Sequence, residues 1–194
     1  MQSIHSQMLI GAALLIALFS VPLAGGRLGA LADVRFERAW ALPAALGLQM
    51  LIVYVLPGAP GEVLNAAHVA SYVLALVFVV ANRRVPGLLV IAAGGALNFV
   101  AIAANGGVMP ASPAALATAG LADTPGQFAS SAGVEHPMLG FLGDVFAVPA
   151  SWPVHNVFSV GDVLIVAGAA IALHVICRSR LATAFTPRRG ETAS

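Results

Sequence analysis

Residues 83–104 read RRVPGLLVIAAGGALNFVAIAA: two arginines, a valine, a proline, then an apolar run from Gly87 to Ala104 with one amide, Asn98, inside it. Proline fits a first helical turn, where its missing N–H would have found no partner anyway. The 18 residues from Gly87 to Ala104 rise about 27 Å as a helix at 1.5 Å each, close to the roughly 30 Å hydrocarbon core of a bilayer. The stretch is therefore expected to be a transmembrane helix entered from its arginine side.

Four other stretches resemble it: Met8–Ala24, Trp40–Leu56, Asn65–Ala81 and Gly161–Cys177. Of the 194 residues, 59% are hydrophobic and only 9% charged, whereas soluble domains carry roughly 25% charge. All nine basic residues are arginines, and they fall in three groups: Arg27, Arg35 and Arg38; Arg83 and Arg84; Arg178, Arg180, Arg188 and Arg189. Short connections rich in Lys or Arg stay cytoplasmic. The expected fold is thus an all-α membrane protein of five transmembrane helices, N-out and C-in. It forms a single domain over 1–182, with a disordered cytoplasmic tail over 183–194. The expected location is the cytoplasmic (inner) cell membrane, multi-pass. The first run lacks positive charge before its apolar core, so it is expected to be a retained helix rather than a secretory signal.

Partners follow from the same distribution. The lipid bilayer is one, and a second copy or another membrane protein is a further candidate. Nucleic acid is excluded, because the arginines face one side while Glu62, Asp123, Glu135, Asp144 and Asp162 lie in connections on the other. Cys177 is the single cysteine, so no intramolecular disulfide is possible.

Boundaries have local causes. Trp40 beside Arg38 suits an interfacial anchor, and Pro57-Gly-Ala-Pro-Gly61 forces an external turn. The link over 105–160 carries no Lys or Arg and is expected to be external. Its first part, Ala111–Gly133, reads as a flexible or loosely helical connector. Its second, Met138–Pro149, is strongly apolar yet too short to span, and is expected to form an interfacial or re-entrant helix.

That link contains an echo: Leu142-Gly-Asp-Val-Phe-Ala-Val148 and Val160-Gly-Asp-Val-Leu-Ile-Val166. Two readings stay open. Each aspartate caps a helix start, where it accepts free backbone N–H bonds and meets the positive end of the dipole. Alternatively, Asp144 and Asp162 meet and, with His136 or His155, bind a cation or activate a water.

Inside the runs, Gly94, Asn98, Ala101 and Asn105 form one helical stripe of small and amide residues, suited to close packing and interhelical hydrogen bonds or to a ligand-lining face. His68, Ser71, Tyr72 and Ala75 share a side of the third run. Gly168 and Ala172 make a small-xxx-small contact, and His174 reads as a hydrogen-bonded or snorkelling histidine. No catalytic or phosphate-binding signature is present, and no cofactor is expected.

Gly25-Gly-Arg-Leu28, Leu97-Asn-Phe-Val-Ala-Ile-Ala-Ala-Asn-Gly-Gly-Val-Met-Pro110, Phe141-Leu-Gly-Asp144 and Val157-Phe-Ser-Val-Gly-Asp162 together resemble an uncharacterised bacterial family of small integral membrane proteins, a domain of unknown function. The resemblance implies several helices in the cytoplasmic membrane and transfers no activity.

Three functions are expected, in order. The first is a non-enzymatic protein whose outer-face polar pocket, built from Asn98, Asn105, Asp144 and Asp162 with His155 and His68 as further ligand-binding candidates, takes a small ligand, ion or partner. The second is a structural subunit or assembly factor acting by helix packing. The third is an envelope or lipid-modifying enzyme using His155 or His136 with an aspartate.

Overall fold

Leucine and alanine lose little freedom in a helix, and each of the five apolar runs holds one. The computed structural model describes residues 3–52, 60–106, 108–121, 131–132 and 137–185. In chain order these form α1 (Ser3–Leu23), α2 (Ala41–Met50), α3 (Gly61–Ala81), α4 (Leu88–Ala104), β1 (Met109–Pro110), α5 (Pro113–Thr118), β2 (Ser131–Ala132), β3 (Asp144–Val148), β4 (Asn156–Ser159), α6 (Val160–Ile176) and α7 (Ala182–Phe185). Helix α6 packs most extensively on α4 and also on α1, while α2 packs on α3.

The helices do not make five membrane spans. Among the described residues, no helix is long and apolar enough to cross a membrane, and the chain is mostly helical with a small antiparallel sheet, which corrects the expected all-α fold of transmembrane helices. Helices α4 and α6 have 17 residues each, about 25 Å, and α2 has 10, about 15 Å. Helices α1 and α3 reach 21 residues by taking in polar ends, Ser3-Ile-His-Ser-Gln7 and Gly61-Glu-Val-Leu-Asn65. The expected turn at Pro57–Gly61 falls mostly outside the described residues, as do the tail from 186 and His136.

Close approach of α4 and α6 depends on glycine. A Cβ on Gly94 would strike the Gly161 carbonyl and come within 3.0 Å of the Ile165 backbone N. A Cβ on Gly168 would lie 2.7 Å from the Ile91 backbone N and 2.8 Å from the Gly87 carbonyl oxygen. Two rungs result, Gly94 with Gly161 and Gly87 with Gly168, seven residues apart on each antiparallel helix.

The segment expected as an interfacial or re-entrant helix is instead a short 3-10 turn, Gly140–Leu142, followed by strand β3. Val145, Phe146 and Val148 favour a pleated surface, and β4 offers Val157 and Phe158 opposite. The pairing is antiparallel, with Asp144 facing Ser159, Phe146 facing Phe158 and Val148 facing Asn156, and a register shift between Asp144 and Phe146. The Phe146 and Phe158 rings stack at 5.3 Å. Helix α5 closes one side: Ala115, Leu116, Ala119, Leu121 and Val157 form a buried cluster with Ala111. This part of the expected connector is thus ordered, because Pro113 starts a helix whose apolar face the hairpin covers.

Candidate functional site

Helix α6 begins with Ser159 as its N-cap, and a reciprocal capping box forms there. The Ser159 hydroxyl accepts from the Asp162 backbone N–H at 3.0 Å, while the Ser159 N–H donates to Asp162 Oδ2 at 3.0 Å. Asn98 on α4 joins from across the Gly94–Gly161 rung: its Nδ2 donates to Asp162 Oδ1 at 2.9 Å, and Ser159 Oγ donates to Asn98 Oδ1 at 2.8 Å. Ser159 is 0% exposed. Asn98, Ser159 and Asp162 therefore satisfy one another in a closed ring of bonds, as partly buried polar groups must. Gly161 makes room for it, since a Cβ there would collide with Asn98 Oδ1.

Asp144 is buried and opens β3, opposite Ser159 in the ladder. Both aspartates thus neighbour Ser159, one through strand pairing and one through the cap. The Asp144 carbonyl also accepts from the Ser112 N–H at 2.9 Å, beside the Ala111 bridge. So one half of the echo starts a strand and the other lies in the first turn of a helix, Asp162 being the N3 residue rather than the N-cap.

Asn105 lies away from this ring. As the C-cap of α4, it donates from Nδ2 to Ala101 O at 2.8 Å and Met138 O at 2.7 Å, and it accepts from the Met138 N–H at 2.9 Å. Its side chain imitates a strand partner and holds the segment leading into the hairpin. His155 sits in the β3–β4 turn with Nδ1 3.3 Å from Trp152 O. The side chain of His68 lies outside the described residues. Among the described residues, no group of three or more His, Cys, Asp and Glu side chains is placed to hold a metal ion.

Beside the ring, α1, α6 and the hairpin enclose a groove of about 360 Å³. Leu9 and Ala13 line it from α1, Val166 and Ala170 from α6, and Phe158 from β4, with Asp162 at the edge. The walls are almost entirely apolar, because the Asp162 carboxylate oxygens turn toward Asn98 and Ser159. The sequence reading missed Ser159, Gly161 and this groove. Ser159-x-x-Asp162 ahead of an apolar run was the available signal, since it has the spacing of a capping box. Nothing local marks Leu9 or Ala13.

A second buried network lies at the other end of α6. His174, 4% exposed, has Nε2 3.0 Å from Ser20 Oγ and Nδ1 2.8 Å from Ser179 Oγ. The Ser20 hydroxyl donates its one proton to Ala17 O at 2.7 Å, so Nε2 is the donor in its bond to Ser20 Oγ. This histidine is hydrogen-bonded within the protein. Next to it, burial pushes the Cys177 thiol above its ordinary pKa of 9.0.

The model of a family of unknown function, DUF5317, matches residues 33–174, agreeing with the coarse level of the resemblance. An uncharacterized protein of Thermotoga maritima is 33% identical over 101 residues. The match covers 52% of this chain and 58% of that protein, so the chain spans little more than half of that relative's length. No solved structure matches.

Proposed function

This chain belongs to the DUF5317 family of unknown function, and from that premise we propose that it is a non-enzymatic protein that binds the aliphatic chain of a small lipid-like molecule. The observation that carries this reading is the groove of about 360 Å³ between α1, α6 and the hairpin. Ligand sites are typically concave, mostly apolar and about 300–1,000 Å³ in volume. The groove fits that class better than the polar residues beside it, whose bonds already go to one another. The cytoplasmic membrane is part of the proposal. Leu15, Ile16, Phe19 and Leu23 on α1 are each more than half exposed, and apolar surface on this scale marks an interaction face.

The test uses purified protein and a fluorescent fatty acid. Decanol and decylammonium should displace the probe about equally, because the groove wall presents almost no polar surface, and butanol should do so poorly. Ala170→Phe fills the groove and should abolish binding while leaving the helical circular dichroism unchanged. Absence of probe binding, or full binding by Ala170→Phe, refutes the reading.

A scaffold acting by helix packing is the second reading, favoured by the glycine rungs and the closed Asn98–Ser159–Asp162 ring. It requires no ligand, so the displacement assay separates the two.

A further inference from the structure

Asn82 is 4% exposed and caps the C-terminus of α3. Its Nδ2 donates to Phe78 O and Glu37 O, both at 2.8 Å, and its Oδ1 accepts from the Glu37 N–H at 2.8 Å. The Phe36 and Phe78 rings, with centroids 5.7 Å apart, reinforce the attachment. A segment 45 residues upstream is thereby pinned against the α3–α4 turn, and four arginines arrive together: Arg35 and Arg38 from the segment, Arg83 and Arg84 from the turn.

Two pockets open around Glu37. One, about 340 Å³, is lined by Glu37, Arg38, Arg83 and Arg84 with Val80. The other, about 300 Å³, is lined by Arg35, Arg84, Glu37, Asn82 and Pro86. Arg84 belongs to both. Together the two pockets are lined by four arginines and one carboxylate, a local excess of three positive charges. Arg38 is moreover held at φ 49°, in the left-handed region that a bulky side chain occupies only when its surroundings impose it.

Like charges gathered by a buried clamp repel one another unless an anion joins them. Guanidinium forks match the oxygen geometry of phosphate bidentately. We propose that this end of the molecule is a phosphate-binding site in which Arg38 and Arg84 contact the phosphoryl oxygens, Arg35 and Arg83 add charge, and Asn82 is the positioning residue. The phosphate belongs either to a free anion or to a lipid headgroup. The inference is independent of the apolar groove.

Both sources are tested on the full chain: inorganic phosphate by calorimetry, and phosphatidylcholine vesicles with and without phosphatidylglycerol by flotation. Binding in either arm is expected, and the arm that responds identifies the source. Arg38→Gln with Arg84→Gln should weaken that binding roughly tenfold or more, the scale of lost hydrogen bonds to charged groups. The double change Arg178→Gln, Arg180→Gln removes equal charge elsewhere and should have little effect. Asn82→Ala keeps all four arginines but releases the clamp, and should weaken binding several-fold. The proposal is overturned if neither phosphate nor phosphatidylglycerol is bound, or if the Arg178, Arg180 control loses as much binding as the Arg38, Arg84 pair.

Discussion

At one end of the α4–α6 pair, Gly94 meets Gly161, Asn105 clamps Met138, and Asn98, Ser159 and Asp162 bond to one another. At the other end, Gly87 meets Gly168, Asn82 clamps Glu37, and His174 bridges Ser20 and Ser179. The same three devices recur, yet their surroundings differ. The first network contains a carboxylate and borders an apolar groove, and its clamp is open to water. The second network is an imidazole sealed between two hydroxyls, and its clamp is buried. One end is arranged around an accessible cavity; the other holds charges near one another from beneath.

The contrast can be broken most severely at the rungs. Gly161→Ala drives a methyl into Asn98 Oδ1 and the Gly94 carbonyl, and should cost about 3 kcal/mol, the upper range of overpacking. Gly168→Ala meets its neighbours at 2.7–2.8 Å and should cost about 1.5 kcal/mol. Urea unfolding of both variants checks the order, and equal losses would show that the two rungs are equivalent.

The clamps give the next effect. Asn82→Ala leaves the buried α3 terminus without its bonds and should cost about 2 kcal/mol. Asn105→Ala, where water can replace the lost partners, should cost about 1 kcal/mol or less. Hydrogen exchange sharpens this, because the Glu37 amide should lose more protection than the Met138 amide when its clamp is removed.

The smallest effect concerns Cys177, 1% exposed. Desolvation raises its pKa above 9.0, so the folded state disfavours the thiolate relative to the unfolded chain. Its contribution is present in full below that value and is lost as pH rises past it toward the folded pKa. Cys177→Ala should flatten the decline in stability above pH 9.0, and native Cys177 should react with iodoacetamide far more slowly than in urea.

Much of the helical layout was legible because alanine- and leucine-rich runs state their own preference. Asn98 stood out as an amide in an apolar run, and His174 as a polar residue needing partners. Span length was less legible. Composition and arginine grouping do not report where Gly61-Glu-Val-Leu-Asn65 ends its apolar character, nor that α2 stops at Met50. Met138–Pro149 misled for a different reason. Its apolar residues suit helix or strand equally, and only the facing Val157-Phe158 decides for the hairpin. The arginine cluster was seen as a topological marker; that Asn82 draws Arg35 and Arg38 to Arg83 and Arg84 is a long-range fact that spacing cannot carry.

One backbone feature bears on how the chain is made. The Arg27 N–H donates to Cys177 O and the Arg180 N–H donates to Ala24 O, both at 2.9 Å, so the turn after α1 is stitched to the segment after α6. During synthesis, α2 and α3 can pair as soon as both have emerged, whereas α1 waits for residues some 150 positions later. Contacts of that sequence separation close slowly and leave apolar surface uncovered meanwhile. Through that interval Ser20 lacks its imidazole partner and Leu9, Ile10 and Ala13 lack the α6 residues that line the groove with them.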